Sequence, residues 1–375
     1  MSSKNKVLVV GAGLAGSSIA RILAEAGIKV DLIEQRNHVA GNAFDYLNEK
    51  GERIHKYGPH LLHGDINSKA VRFLSRFTEW VPYEHKVRAL LPNNQTTPLP
   101  VNITTLEDIY NIKFEDEEKA NNFLEEIREN ELNPTNTDEL FLSSVGEKIT
   151  NILFRPYTKK MWGVDPKELS IKVGARLPVR KSRDDRYFED TFQALPKDGY
   201  TSMVEKILKH KNISIELNKE FNKEIEKEYD YCFLCIPIDV YFDNLYGKLP
   251  YRSIIFEDHL KTDFSYDGAV TNFTDNSKYT RVTKWKSFPN CTTSKSEDYT
   301  YTYEIPCSID DNPGEYYYPI QTNKSKIMYM QYAKLAKSKK NVVFCGRTGL
   351  FKYIDMIPAI MIHLKIAENY LKSRN

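Results

Sequence analysis

Residues 7–16 read Val7-Leu8-Val9-Val10-Gly11-Ala12-Gly13-Leu14-Ala15-Gly16. A short apolar run leading straight into spaced glycines reads as a buried strand, a tight turn and the start of a helix. Helical spacing of Leu14, Ile19, Ile22 and Leu23 carries the helix over Leu14–Ala26, and Gly27 ends it. Lys29–Glu34 then reads as a second strand, completing the beginning of a βαβ unit. In this pattern Gly11 permits the turn, Gly13 lets backbone N–H groups approach a pyrophosphate, and Gly16 lets helix and strand pack closely. The helix N-terminus adds partial positive charge. Glu34, ending the second strand, is placed to accept hydrogen bonds from ribose hydroxyls. The pattern indicates an ADP moiety and does not by itself separate FAD from NAD.

Outward from this unit, Lys86–Leu91 and Thr96–Leu99 read as a hairpin around Pro92-Asn93-Asn94. From about Thr104 to Trp162 the spacing is mostly helical, over Leu106–Tyr110, Glu117–Glu129, Asp138–Ile149 and Thr150–Lys160. Asn133-Pro134 breaks this run and Thr135–Thr137 supplies a cap. Leu177–Val179, Ser214–Leu217 and Tyr231–Ile236 read as strands, with a short helix at Thr201–His210. The Thr-, Tyr- and Phe-rich span Tyr251–Tyr318 reads as antiparallel sheet. Val342–Cys345 is a last buried strand, and Met356–Lys372 the last helix. The predicted fold is therefore α/β: a discontinuous Rossmann-like FAD-binding domain (1–65, 190–245, 330–375), a helical insertion (102–165) with a mobile lid near its end, and an antiparallel sheet and substrate domain (66–101, 166–189, 246–329).

Composition narrows the function class. The 375 residues are 41% hydrophobic and 28% charged, which suits a globular enzyme. A formal net charge of +2 gives no global field that points to nucleic acid or membrane. No apolar stretch approaches the ~18–20 residues of a membrane span, and residues 1–10 lead into a strand and not a signal peptide, so a cytoplasmic protein is expected. The five scattered cysteines form no disulfide framework, and Cys232-Phe233-Leu234-Cys235 reads as buried small side chains in a strand. Tyrosine is abundant, at 24 residues; most fill cores and sheet faces, while some suit a cleft that stacks on a flat ring.

Arg36 followed by Gly41-Asn42-Ala43 suits FAD, whose extended form runs along such a segment. The stretch His55-Lys56-Tyr57-Gly58-Pro59-His60-Leu61-Leu62-His63 turns at Gly58-Pro59, which aims His60 and His63 inward. No acid or sulfur partners lie nearby, so contact with flavin or sugar is favoured over a metal site. Arg180, Arg252 and Arg281 each sit beside strand-like or aromatic sequence, and guanidinium groups grip diphosphate in a fork that lysine cannot copy.

Beyond these motifs, Tyr157-Thr158-Lys159-Lys160-Met161-Trp162-Gly163, Leu177–Arg180, Asp185–Phe188, Gly199-Tyr200-Thr201, Tyr251-Arg252-Ser253, Asn272-Phe273-Thr274-Asp275, Tyr279-Thr280-Arg281, Tyr317-Tyr318-Pro319, Gly346-Arg347 and Lys352–Met356 follow in order. Over nearly its full length the chain resembles the UDP-galactopyranose mutase family. The resemblance implies an isomerase that interconverts pyranose and furanose forms of a nucleotide-bound hexose, with FAD active when reduced and no net redox change. It implies attack of flavin N5 on the anomeric carbon, a covalent sugar adduct, ring opening, reclosure and return of the diphosphate. Such a route needs a fixed nucleophile, a diphosphate clamp and a dry cleft. An external reductant such as NAD(P)H and a homodimer are also implied, with a role in cell-surface polysaccharide synthesis.

Carried over by position, Arg180 and Arg281 meet the diphosphate, Tyr157 stacks on the base, and Trp162 travels with the closing lid. Arg252 holds that lid or reaches the substrate, and Tyr317 and Tyr353 contact phosphate oxygens. His60, His63 and Asp355 lie by flavin and sugar. Gly11, Gly13, Leu14, Gly16, Glu34, Gln35, Arg36, Gly41, Asn42, Leu61, Arg347 and Met356 complete the cofactor set. Four departures from the family pattern are expected to matter. Ala40 replaces a glycine before Gly41, and Phe192 replaces a phosphate-reaching tyrosine. Phe351 and Ile354 replace tyrosines, and Ile357-Pro358 replaces a polar pair. UDP-galactose, interconverted between pyranose and furanose, is the default substrate; placed in the sugar pocket, these departures would suit a deoxysugar such as dTDP-fucose, and that or an unusual capsule sugar is the alternative. A net oxidoreductase of the amine-oxidase type and a non-catalytic flavin-binding relic are the remaining alternatives.

Overall fold

The structure, a computed structural model, describes residues 6–261, 266–291 and 298–374. Among these residues a five-stranded parallel sheet runs in the order Ile213–Leu217, Lys29–Glu34, Lys6–Val10, Tyr231–Leu234, Val342–Phe344. Strands buried on both faces must be apolar throughout, and Val7 to Val10 and Cys232 to Leu234 are. One face is covered by the Leu14–Glu25 and Met356–Arg374 helices, which pack on each other. The other carries Ile238–Tyr241 and Asn323–Ser338, with Tyr332 fully buried against Tyr241 and Phe344.

A second sheet has seven strands, in the order Tyr318–Pro319, Tyr251–Lys261, Tyr299–Ser308, Arg281–Lys284, Val270–Phe273, Val87–Leu90, Thr96–Leu99. Its pairs are antiparallel except Val270–Phe273 with Val87–Leu90, which run parallel. Parts of the expected sheet at 262–265 and 292–297 lie outside the described residues. A three-stranded sheet joins Leu62–Gly64, Phe192–Pro196 and Trp80–Pro82.

Several expectations need correction. Leu177–Val179 is not a strand: Leu177 N–H donates to Gly174 O, and Pro178 has no N–H to offer a ladder. The helix expected over Thr150–Lys160 is a π-helical turn, Thr150–Phe154, followed by the α-helix Arg155–Trp162. Pro156 cannot donate within a regular turn, and the wider turn accommodates it. Asn136, within the segment expected to cap, accepts from Glu139 N–H. The Asn323–Ser338 helix runs through the boundary expected at 329/330. Ile171–Gly174 packs on the Thr137–Ile149 helix, so this part of 166–189 sits with the helical insertion.

Candidate active site

Two cavities meet at the carboxyl end of the parallel sheet. The first, about 730 Å³, is lined by Gly11, Gly13, Leu14, Glu34, Gln35, Arg36, Gly41 and Asn42. Its cradle is set by close backbone approach. A Cβ on Gly16 would lie 2.0 Å from Gly11 O, and one on Gly41 2.9 Å from Gly13 Cα. Gly16 therefore stands behind the cavity wall and lets the helix reach it. That helix begins with no side-chain cap and no acid in its first turn, which leaves its leading N–H groups for an anion. Glu34 is buried; Oε2 accepts Ala12 N–H at 2.8 Å and Oε1 accepts Arg36 N–H at 2.9 Å. Arg36 donates to Asn42 Oδ1 and Glu315 Oε2 and lies 4.4 Å over the Tyr57 ring. Ala40, where a glycine was expected, adopts the left-handed conformation at φ 72°, a strain a glycine would not carry.

The second cavity, about 680 Å³, shares His60, Arg347 and Met356 with the first. His60 Nδ1 is 2.8 Å from Gly58 O, and its backbone N–H donates to His55 Nδ1. Burial pushes the His60 imidazole down to about 3 and His55 down to about 4, so both rings are neutral near pH 7. Arg347 donates to Tyr317 O and Ile354 O, both at 3.0 Å, which pins its guanidinium at the junction. His63 stacks on Phe188 at 3.6 Å, with Nδ1 2.7 Å from Asp190 Oδ2. Leu61 and Asp355, expected at the cofactor, line the second cavity and not the first.

Cationic groups mark the far part of the second cavity. Arg281 lines it, with Nε donating to Glu304 Oε2 at 2.6 Å. Burial pushes the Glu304 carboxyl above its usual range, with Arg281 pulling the other way. Arg176 also lines it, 3.9 Å over the Tyr353 ring and 2.8 Å from Asp355 Oδ1. Tyr157, Trp162 and Tyr353 are lining residues as expected by position.

Four expected residues are not there. Arg180 lines neither cavity; it is buried with Nη1 at 2.9 Å from Asp184 and 3.3 Å from Glu189. Arg176, four residues earlier, faces the cleft instead. Tyr317 points the other way from the cavity, its hydroxyl on Glu315 and its ring 6.0 Å from Tyr57. Neighbouring side chains on a strand alternate, and it is Tyr318 that lines the cleft. Phe192 is core, edge-on to Trp80 at 5.3 Å, while Tyr187 supplies a phenol to the cavity. Arg252 lines neither cavity; its Nε and Nη2 donate to the carbonyls of Met161 and Lys160 and hold that helix end in place. Trp162, expected to travel with a lid, is buried on this anchored end.

The supposed sugar-pocket departures also move. Phe351 is buried against Tyr251 and Tyr329, Ile357 packs in the core, and Ile354 lines only the first cavity. Pro358 lines neither. These substitutions do not make the second cavity more apolar. Sequence reasoning missed His85, which lines the cleft and which burial pushes down to about 3. Its position comes from long-range contacts, with its carbonyl accepting Tyr187 N–H and its ring stacked on Phe188 as His63 is, and nothing in its neighbourhood in the sequence signals it. Among the described residues, no group of three or more His, Cys, Asp or Glu is arranged to hold a metal ion. No helix among them is long and apolar enough to cross a membrane.

Comparison with known proteins agrees with this geometry. The family described as UDP-galactopyranose mutase matches residues 152–353, and the NAD(P)-binding Rossmann-like domain matches residues 9–77. A probable UDP-galactopyranose mutase of Klebsiella pneumoniae is 36% identical over 100% of this chain and 96% of its own length. A dTDP-fucopyranose mutase of Escherichia coli is 34% identical over 98% of this chain and 99% of its own. The crystal structure of a reduced UDP-galactopyranose mutase superposes with a TM-score of 0.73 at 18% identity, covering 98% of this chain and 95% of that one, and shows the same fold. The class defined is a flavin-dependent sugar-nucleotide mutase, an isomerase. Within it, the chain belongs to the UDP-galactopyranose mutase family.

Proposed function

We propose that the chain interconverts UDP-galactopyranose and UDP-galactofuranose, with FAD in the first cavity and reduced in the working state. The observation that carries this reading is the meeting of the two cavities at His60, Arg347 and Met356. A dinucleotide-sized cradle opens there onto a cleft with two guanidinium groups. Gly11, Gly13, the leading N–H groups of the Leu14–Glu25 helix, and Glu34 would hold the pyrophosphate and ribose of FAD. Bound there and reduced, the flavin would supply the nucleophile for the anomeric carbon, with no net redox change.

The chain's own side chains bind and orient. Arg281 and Arg176 hold the diphosphate, and the Asp355 carboxylate now on Arg176 gives way to it or steers it. Tyr157 offers a face to the base. Neutral His60 and His85 offer hydrogen bonds to sugar hydroxyls without adding charge where positive charge develops. Phe154, Met161 and Trp162 exclude water. NAD(P)H or another external donor would be the reductant.

A second sugar nucleotide, dTDP-fucopyranose, stays in view because the E. coli relative bears that name at nearly equal identity. Incubating dithionite-reduced protein separately with UDP-galactofuranose and dTDP-fucofuranose, then separating products by chromatography, tests both. Conversion to the pyranose without matching loss of reductant is expected, fastest with UDP-galactofuranose. Turnover of neither sugar, or reductant consumed one for one, overturns the reading; preference for fucose transfers it to the second substrate.

A further inference from the structure

Lys160 lies on the Arg155–Trp162 helix, whose Tyr157, Thr158, Met161 and Trp162 face the second cavity. Lys160 itself does not line the cavity. Its side chain is 14% exposed and turns to the seven-stranded sheet. There Nζ donates to Tyr279 O at 2.7 Å and to Phe273 O at 3.1 Å, and it lies 3.4 Å from Asp275 Oδ1. An ammonium has three donors and no acceptor, so three oxygens around it satisfy it fully.

These acceptors all belong to the turn that joins Val270–Phe273 to Arg281–Lys284. The strand entering the turn brings Asn272 to the cavity, the turn itself brings Thr274, and the strand leaving it brings Arg281. The helix and the turn are thus opposite walls of one end of the cleft, and Lys160 spans them from behind. Arg252 fixes the same helix end from a different strand, through the carbonyls of Lys160 and Met161.

We propose that Lys160 is a positioning residue that sets the gap between Tyr157 on the helix and Asn272 and Arg281 on the sheet, and so the grip on the nucleotide. The proposal rests on the nucleotide-sugar reading of the second cavity. Loss of the tie lets the walls part; the flavin junction at His60, Arg347 and Met356 is built from other segments and stays as it is.

The test is equilibrium binding of UDP and of dTDP, each alone, to the flavin-loaded, oxidised full chain, followed by steady-state kinetics of the reduced enzyme. For Lys160→Met the dissociation constant of the preferred nucleotide is expected to rise about tenfold, the scale of one lost charge-assisted hydrogen bond. KM is expected to follow it, kcat to fall by less than about threefold, and the flavin-to-protein ratio to hold. Lys160→Arg, which keeps a cation, is expected to recover part of the binding. Should the methionine variant fail to fold, Lys160→Gln, with a shorter neutral donor, carries the same expectation. Nucleotide binding within twofold of wild type in the folded variant overturns the proposal. A wild-type chain that holds flavin and binds neither nucleotide overturns the nucleotide-sugar reading first, and this inference with it.

Discussion

The two cavities are alike in size and opposite in construction. The first is framed by backbone, with a glycine turn, an uncapped helix start and one buried carboxylate from residues 10–15 and 34–43, and is closed by residues 219–223, 235–243, 314–316 and 346–359. The second is built from side chains that arrive from residues 57–63, 85–99, 141–162, 173–190, 270–281 and 318–356. A cavity made by backbone tolerates little change in chain geometry and much change in side chains. A cavity made by side chains is the reverse, and there chemistry and specificity can be altered one residue at a time.

This contrast can be broken most sharply at Arg281. Arg281→Ala is expected to lower turnover about a thousandfold while flavin stays bound, measured by steady-state rate and the flavin-to-protein ratio. Loss of flavin in this variant would mean that the cavities are not independent. Gly16→Ala attacks the other side. Its Cβ would meet Gly11 O at 2.0 Å, backbone against backbone, so a loss of about 3 kcal/mol and a largely colourless protein are expected. A fully yellow Gly16→Ala protein would show that the cradle gives way.

A paired test sharpens the assignment of cations. Arg176→Ala is expected to cut kcat/KM about a hundredfold with little change in Tm. Arg180→Ala is expected to do the opposite, lowering Tm with turnover within a few-fold, because Arg180 itself lines neither cavity and its guanidinium is buried on Asp184 and Glu189. Reversal of the pair would return the diphosphate to Arg180.

Acid should act through three buried histidines, of which His60 and His85 line the second cavity and His55 stands behind it. Burial holds His55 at about 4 and His60 and His85 at about 3, below the ordinary value near 6.5. Unfolded chains take up these protons first, so the stabilisation is complete above about pH 6.5 and is lost as pH falls toward 3–4. At pH 5 each ring is expected to cost about 2 kcal/mol. Denaturant unfolding between pH 7.5 and 5 reads this out, and replacing His85 by Gln should flatten the slope. The smallest effect is expected at Phe192→Tyr. Its ring meets Trp80 in the core, so an added hydroxyl should cost about 1 kcal/mol of stability and leave KM for the nucleotide sugar unchanged.

The same contrast explains what the sequence could tell. The βαβ beginning, the Val342–Phe344 strand and the last helix were legible because each rests on local periodicity and glycine placement. In the second cavity the sequence placed His60, His63, Tyr157, Trp162, Arg281 and Tyr353, and elsewhere identified the segment and missed the residue within it. Arg176 and Arg180 share a stretch, Ala175 to Asp190, with no strand or helix period to say which side faces inward. Tyr317 and Tyr318 differ only by strand alternation, whose phase is set by pairing with Tyr251 and Arg252 far back in the chain. Phe192 and Tyr187 flank the bend that separates core from cleft. The residues expected to make the sugar pocket apolar were misplaced for the same reason: Phe351 and Ile357 belong to packing behind the wall.

The parallel sheet places its first-made strand in the middle and one of its last-made at the edge, with Lys6–Val10 beside Tyr231–Leu234 and Val342–Phe344 beyond. On the ribosome, the glycine turn emerges early and must wait for more than two hundred residues before its inner neighbour arrives. Its covering helix, Met356–Arg374, comes later still. The cradle, whose wall includes Gly346, Arg347 and Met356, is therefore complete only after the last strand has been made. Fragments ending before residue 342 are expected to expose the apolar strands and to be handled by chaperones and proteases as unfinished protein.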